Sequence, residues 1–196
     1  MKLAIISTLS LVALSSFGQG TFVFDQQDST SEGSPPYGSF SSMQSAIPPW
    51  GQSFTPALAS TDFIRLLFTD NNTADGLGAS VYLTLHSGAI EGPTIGTSES
   101  VTMANGFTGP ATFLFPASVP LTPGTMYYFQ PILQDGGLWN IVGGSFPYAG
   151  GNSYESGVVH PGNLWFREGV VVPEPSSAAL LILGGCTFLW FKGKKS

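Results

Sequence analysis

The hydrophobic positions of this chain recur every second residue over short windows, which is the signature of strands with two unlike faces. In Asp62–Thr69, Phe63, Arg65, Leu67 and Thr69 fall on one face and Ile64, Leu66 and Phe68 on the other. Val81, Leu83 and Leu85 alternate with Tyr82, Thr84 and His86, giving an apolar face and a mixed one. Shorter runs of the same kind occur at Thr21–Phe24, Gln52–Thr55, Ala111–Phe115, Met126–Leu133, Leu138–Val142 and Asn163–Arg167. No window of eleven residues or more between 21 and 170 carries a helical stripe. Turn signals separate the runs: Asp75-Gly76, Ser87-Gly88, Asn105-Gly106, Pro123-Gly124, Asp135-Gly136-Gly137 and Gly143-Gly144. Pro123-Gly124 suits a type II turn, because proline presets φ at the second position and glycine accepts positive φ at the third. Asp135-Gly136 suits a hairpin. Eight or nine short strands over residues 21–170 predict an all-β fold, an antiparallel two-sheet sandwich of jelly-roll-like form. The Ser-, Pro- and Gly-rich stretch from Asp28 to Pro49 reads as a long loop.

The two ends depart from this pattern. Residues 1–20 have a basic start at Lys2, an apolar run from Leu3 to Leu14, and small residues Ser16 and Gly18 (or Gly18 and Gly20) before a cleavage point. That order predicts a secretory signal peptide, because the run is too short to span a bilayer comfortably. At the other end, residues 171–196 begin with Pro173-Glu174-Pro175, which follows Val170-Val171-Val172. Two prolines around one residue continue neither a ladder nor a helix interior, so they make a stiff extended break. Ser176 is suited to cap a helix, and 176–191 is an apolar segment of 16 residues, about 24 Å long as a helix. Trp190 at headgroup level and the lysines Lys192, Lys194 and Lys195 compensate for a core of about 30 Å. The expectation is a single transmembrane helix with its lysines on the cytoplasmic side.

The order Val-Pro-Glu-Pro, apolar helix, basic end resembles the PEP-CTERM sorting signal. The resemblance covers roughly the last 25 residues. It implies recognition of Pro173, Glu174 and Pro175 in the inner membrane of a Gram-negative bacterium by an exosortase, a membrane-embedded cysteine-type transpeptidase. Processing near this motif is implied, with transfer to the cell surface or to extracellular polysaccharide. The basic end differs from the family pattern in holding lysines and no arginine, and Gly184-Gly185 loosens the helix. The middle of the chain is similar in flavour to the jelly-roll ectodomains joined to such tails, through Gln52–Pro56, Leu121–Leu133 and Asn163–Gly169.

Charge narrows the partners. Only 9% of residues are charged. Four of the six basic residues, Lys2, Lys192, Lys194 and Lys195, lie in the terminal segments. Arg65 and Arg167 therefore stand alone against nearly all twelve acids, a balance that repels phosphate backbones and excludes nucleic acid as a partner. The aromatic fraction of 13% argues against disorder. The single cysteine, Cys186, lies in the apolar tail, so no intrachain disulfide forms, and it reads as a small hydrophobe.

Candidate chemistry is sparse, and no enzymatic activity is expected. There are two histidines: His86 ends a strand, and His160 precedes Pro161-Gly162 in a turn. No Gly-x-Ser-x-Gly elbow and no zinc pattern of Cys and His occurs. The acids fall mostly in loops, where solvation is their default. Asp70, Asn72 and Asp75 cluster oxygen ligands suited to calcium. They equally suit a polar turn whose side chains cap their own backbone, and that reading weighs more. Trp50, Trp139 and Trp165 offer apolar platforms for a sugar ring, or filling for the core. The expected function is therefore an exported surface or matrix protein whose sandwich is a structural or interaction module, associated with exopolysaccharide. The alternatives are a lectin-like domain using those aromatics with calcium, and, behind it, an extracellular hydrolase.

Overall fold

The computed structural model describes residues 20–27, 40–43 (backbone only), 50–137, 139–144 and 148–173. Except for Gly20, the signal-peptide segment lies outside them, as does the apolar helix expected over 176–191. The described chain is all-β, fourteen strands and one 3-10 turn. In chain order the strands are β1 (Thr21–Gln27), β2 (Phe40–Met43), β3 (Gly51–Phe54), β4 (Ser60–Asp70), β5 (Ala79–Ser87), β6 (Thr94–Thr97) and β7 (Val101–Met103). There follow β8 (Thr108–Pro120), β9 (Tyr127–Gly136), β10 (Trp139–Gly144), β11 (Ser153–Glu155), β12 (Val158–His160), β13 (Asn163–Leu164) and β14 (Phe166–Val172).

They form two sheets of seven strands. The first runs β1-β14-β4-β10-β13, with β8 also on β4 and β2 also on β10. The second runs β12-β11-β3-β9-β5-β6, with β7 also on β5. The longest ladders are antiparallel: β4 with β8, from Ser60↔Pro120 to Thr69↔Thr108, and β5 with β9, from Ala79↔Gly136 to Ser87↔Tyr127.

The expected alternation in β4 and β5 decides what lies between the sheets. Ile64, Leu66 and Phe68 from β4 meet Val81, Leu83 and Leu85 from β5 in one buried core. Phe54, Phe113, Phe129 and Phe166 join them, and Phe166 approaches Phe129 at 5.5 Å and Phe54 at 6.4 Å between ring centroids. These contacts tie the first sheet to the second. The other face of β4 is covered too. Phe63 meets Phe22 edge to face at 4.8 Å, Leu67 packs with Val142 and Trp165, and Arg65 lies 4.9 Å from the Phe22 ring centre. A strand buried on both faces gains apolar contact from every residue, which accounts for the near-continuous Phe-Ile-Arg-Leu-Leu-Phe run.

Three expectations from the sequence are corrected. The loop expected from Asp28 to Pro49 contains β2, which pairs with β10 from Trp139↔Met43 to Val142↔Phe40. Its backbone meets hydrogen-bonding need along β10, and Phe-Ser-Ser-Met carries too little apolar pattern to announce it. The hairpin expected at Asp135-Gly136 is instead a crossing between sheets, since β9 belongs to the second and β10 to the first. Gly136 has φ +118°, and a Cβ there would run into the Gly78 carbonyl, so glycine is needed for close approach rather than for a tight reversal. The strand count exceeds the expected eight or nine because β6, β7, β11 and β12 are three or four residues long and bury little. The Pro123-Gly124 turn is as expected: Gly124 has φ +78° and the Thr125 N–H donates to the Thr122 carbonyl at 3.1 Å.

Candidate functional site

The Asp70–Asp75 segment leaves β4 through one turn of 3-10 helix, Thr73–Asp75, ended by Gly76 at φ +71°. Its side-chain oxygens are engaged by the protein itself. Asp70 is buried, and its Oδ1 accepts the Asn72 N–H at 2.8 Å while Oδ2 accepts the Gly106 N–H at 2.7 Å. Asp75 Oδ1 accepts the Leu77 N–H at 2.7 Å, and Oδ2 takes the Asn72 amide at 3.3 Å. Asn105 donates to the Thr73 carbonyl at 3.1 Å. The carboxylates thus satisfy backbone donors that the turn would leave open, as Asx chemistry predicts. Asp70, Asn72 and Asp75 are brought together, in the arrangement of a self-capped turn. Among the described residues, no three His, Cys, Asp or Glu side chains gather as a metal would require.

Trp139 and Trp165 have no solvent exposure. Trp139 packs in the core between the sheets, 6.3 Å from Phe107, and Trp165 packs with Leu67 and Val142 on the other face of the first sheet. Neither ring has surface for a ligand. Arg167 stacks over Trp165 at 5.2 Å and over Phe24 at 4.8 Å. Trp50 is half-buried. The three tryptophans named as sugar contacts are thus divided between core positions and one partly covered ring.

The histidines have structural partners. His86 is buried, with Nδ1 2.8 Å from the Gly92 carbonyl and Nε2 2.8 Å from the Thr84 hydroxyl, so both ring nitrogens are engaged in holding the β5–β6 connection. His160 lies 3.7 Å from Glu155 across the exposed β11–β12 hairpin. A shallow groove of about 270 Å³ runs between β6 and β8, lined by Ile95, Phe115, Pro116, Val119 and Pro120 among others. It is apolar and falls below the usual volume range of small-molecule sites.

Pro173 is exposed and directly follows β14. Glu174, Pro175, Lys192, Lys194 and Lys195 lie outside the described residues.

The sequence reading missed two polar assemblies. In the first, Gln52 on β3 donates to Asn163 Oδ1 at 2.8 Å and accepts the Leu164 N–H at 2.9 Å, while Asn163 donates to the Tyr148 carbonyl at 3.1 Å. Buried amides satisfied in this way pin the second sheet to β13 of the first. The second assembly surrounds Glu168 on β14, which has no solvent exposure. Neither carboxyl oxygen has a hydrogen-bond partner of good geometry. Beside it lie the Thr61 hydroxyl, the Asp25 carboxylate and the Gln26 backbone. Burial pushes the Glu168 carboxyl up to about 8; Thr61 opposes the rise and Asp25 adds to it. Tyr148 closes the group, accepting the Thr55 N–H at 3.1 Å and donating to Gln26 Oε1 at 3.2 Å. Burial pushes its hydroxyl up to about 12, so it stays a neutral donor. The available signal was parity: Leu164, Phe166 and Glu168 share a face, and the first two are apolar.

No family model, curated protein or solved structure matches the chain.

Proposed function

We propose that this chain is an exported bacterial surface or extracellular-matrix protein, sorted and processed through Pro173-Glu174-Pro175, with a jelly-roll-like sandwich serving as its structural or interaction module. The observation that carries the reading is the ordering of the last segment. A strand of valines ends at Val172, an exposed Pro173 opens the rigid break, and an apolar segment and lysines follow. An apolar helix of about 24 Å followed by lysines resists passing through a bilayer of about 30 Å. It would halt with the break on the outer side, within reach of an exosortase-type transpeptidase in the inner membrane. The signal peptide of residues 1–20 would start the export, and exopolysaccharide is the partner that the resemblance suggests for the mature protein.

The lectin-like alternative has less behind it, because burial removes Trp139 and Trp165 as platforms and the Asp70 oxygens already serve backbone N–H groups. Replacing Pro173, Glu174 and Pro175 together with alanine should leave uncleaved precursor in the inner membrane. Mass spectrometry of the mature C-terminus reads the outcome, and processing that proceeds unchanged in the triple variant would remove the sorting assignment.

A further inference from the structure

The group around Glu168 joins elements far apart in the chain. Asp25 sits on β1, the edge strand of the first sheet, and its Oδ2 accepts the Ala57 and Leu58 N–H groups at 2.7 and 2.8 Å. The β1 backbone lies close against β14, where a Cβ at Gly169 would meet the Val23 carbonyl. Glu168, fully enclosed between these strands, faces Asp25, and among the described residues no basic group beside it balances a second negative charge. From β4 it meets the Thr61 hydroxyl, and the neighbouring Asp62 carboxylate is engaged by the Val171 N–H at 2.8 Å. From the segment after β10 it meets Tyr148, a neutral phenol. From the second sheet, Phe54 and Phe129 reach Phe166 on the same strand. Arg65 and Arg167 are directed to the opposite face, onto Phe22, Phe24 and Trp165.

We propose that Glu168 and Asp25 form a proton-dependent latch: Glu168 in its acid form shares its proton with Asp25 and holds the edge strand β1 on β14, and loss of that proton releases β1. The proton goes to solvent, leaving two carboxylates side by side in an enclosed site. Two like charges with no counter-ion are unfavourable there, and opening of β1 hydrates them. Glu168 stays with β14, which is bonded on both edges, while Asp25 leaves with β1 and gives up the Ala57 and Leu58 N–H groups for water. β1 can leave because it is bonded along one edge only.

The sign follows from linkage. The folded-state value near 8 lies above the ordinary 4.5, so the closed form binds more protons than the open form throughout that window. Closure is therefore strongest at low pH and weakens as pH rises. With one proton released per opening, the β1 opening equilibrium should rise about tenfold per pH unit between roughly 5 and 8, then level off.

Hydrogen exchange on the full chain, corrected for intrinsic rates, tests this by comparing Phe22–Gln27 with the core strands β5 and β9. The expected result is the tenfold slope in β1 at a protection well below that of β5 and β9, and a flat β1 profile in Glu168→Gln. Asp25→Asn, which removes the neighbouring charge, should bring the plateau to lower pH. The same slope in Glu168→Gln would overturn the proposal. So would β1 protection equal to that of β5 and β9 at every pH, which would make Glu168 a determinant of global unfolding alone. Recovery of β1 protection at pH 9 on adding calcium would assign the site to a cation instead. Should Glu168→Gln fail to fold, infrared spectra of the unaltered chain at pH 6.5 decide. A carbonyl band from a protonated carboxylic acid supports the latch, and its absence overturns it.

Discussion

Asp70→Ala separates the two readings of the acidic turn after β4. Its carboxylate is 8% exposed and accepts two backbone N–H groups, from Asn72 at 2.8 Å and from Gly106 at 2.7 Å. Truncation leaves both donors unserved in a partly closed site. An unsatisfied buried donor costs about 1–3 kcal/mol, and water reaching the turn offsets part of that, so the loss should be about 3 kcal/mol in total. For a domain of this size that corresponds to a Tm lower by roughly 6–12 °C. Asp75→Ala is the control. It loses two bonds, from the Leu77 N–H at 2.7 Å and the Asn72 amide at 3.3 Å, both at an exposed position where water substitutes, and should cost under about 1 kcal/mol. Thermal unfolding followed by tryptophan emission, with 1 mM calcium and with chelator, reads all three chains. A calcium site with a dissociation constant of about 10 μM would raise stability by about 2.7 kcal/mol under those conditions. The expected result is a large loss in Asp70→Ala, a small one in Asp75→Ala, and no effect of calcium on the unaltered chain. Equal losses in the two variants, with a calcium-dependent rise that Asp70→Ala abolishes, would refute the self-capped turn.

Two further outcomes can be checked by urea unfolding. Trp139→Ala should cost about 3–5 kcal/mol, as large core deletions do, whereas Trp139→Phe should cost less than half as much, because it keeps a ring and removes a buried N–H that has no acceptor. Glu168→Gln should leave stability nearly unchanged at pH 4 and raise it by about 3 kcal/mol at pH 7. The folded carboxyl near 8 keeps its proton there, while the unfolded one near 4.5 has released it, which lowers the stability of the unaltered chain by about 1.4 kcal/mol per pH unit over that window. An equal difference between the two chains at both pH values would contradict this.

Faces were legible in the sequence and partners were not. The alternation in Asp62–Thr69 separated Ile64, Leu66 and Phe68 from Phe63 and Leu67, and those sets lie on opposite sides of β4. Period-two patterning is a property of one strand and survives in any sheet. Which ladder a strand joins depends on residues distant in the chain. Asp135-Gly136 has the chemistry of a local reversal, and nothing nearby indicates that the next strand enters the other sheet. Trp139 and Trp165 were recognisable as large aromatics, but whether such a ring fills a core or meets solvent depends on the strand packed across it. Glu168 is the sharpest case. A charge on the face shared by Leu164 and Phe166 was visible, yet its meaning came from Asp25, placed beside it only by the packing of β1 against β14.

The placement of β14 also governs how the domain bears mechanical load. β14 runs directly into Pro173, so tension applied through the tail enters the domain at Val172. When the pull runs along β14, its ladder with β4, Phe166↔Leu66 to Gly169↔Phe63, is loaded in shear, and its bonds are strained together rather than parted one after another. β4 is in turn fastened to β8 over nearly its whole length. A domain pulled through this strand would resist being drawn apart far better than one pulled through the hairpin of β11 and β12, which would peel.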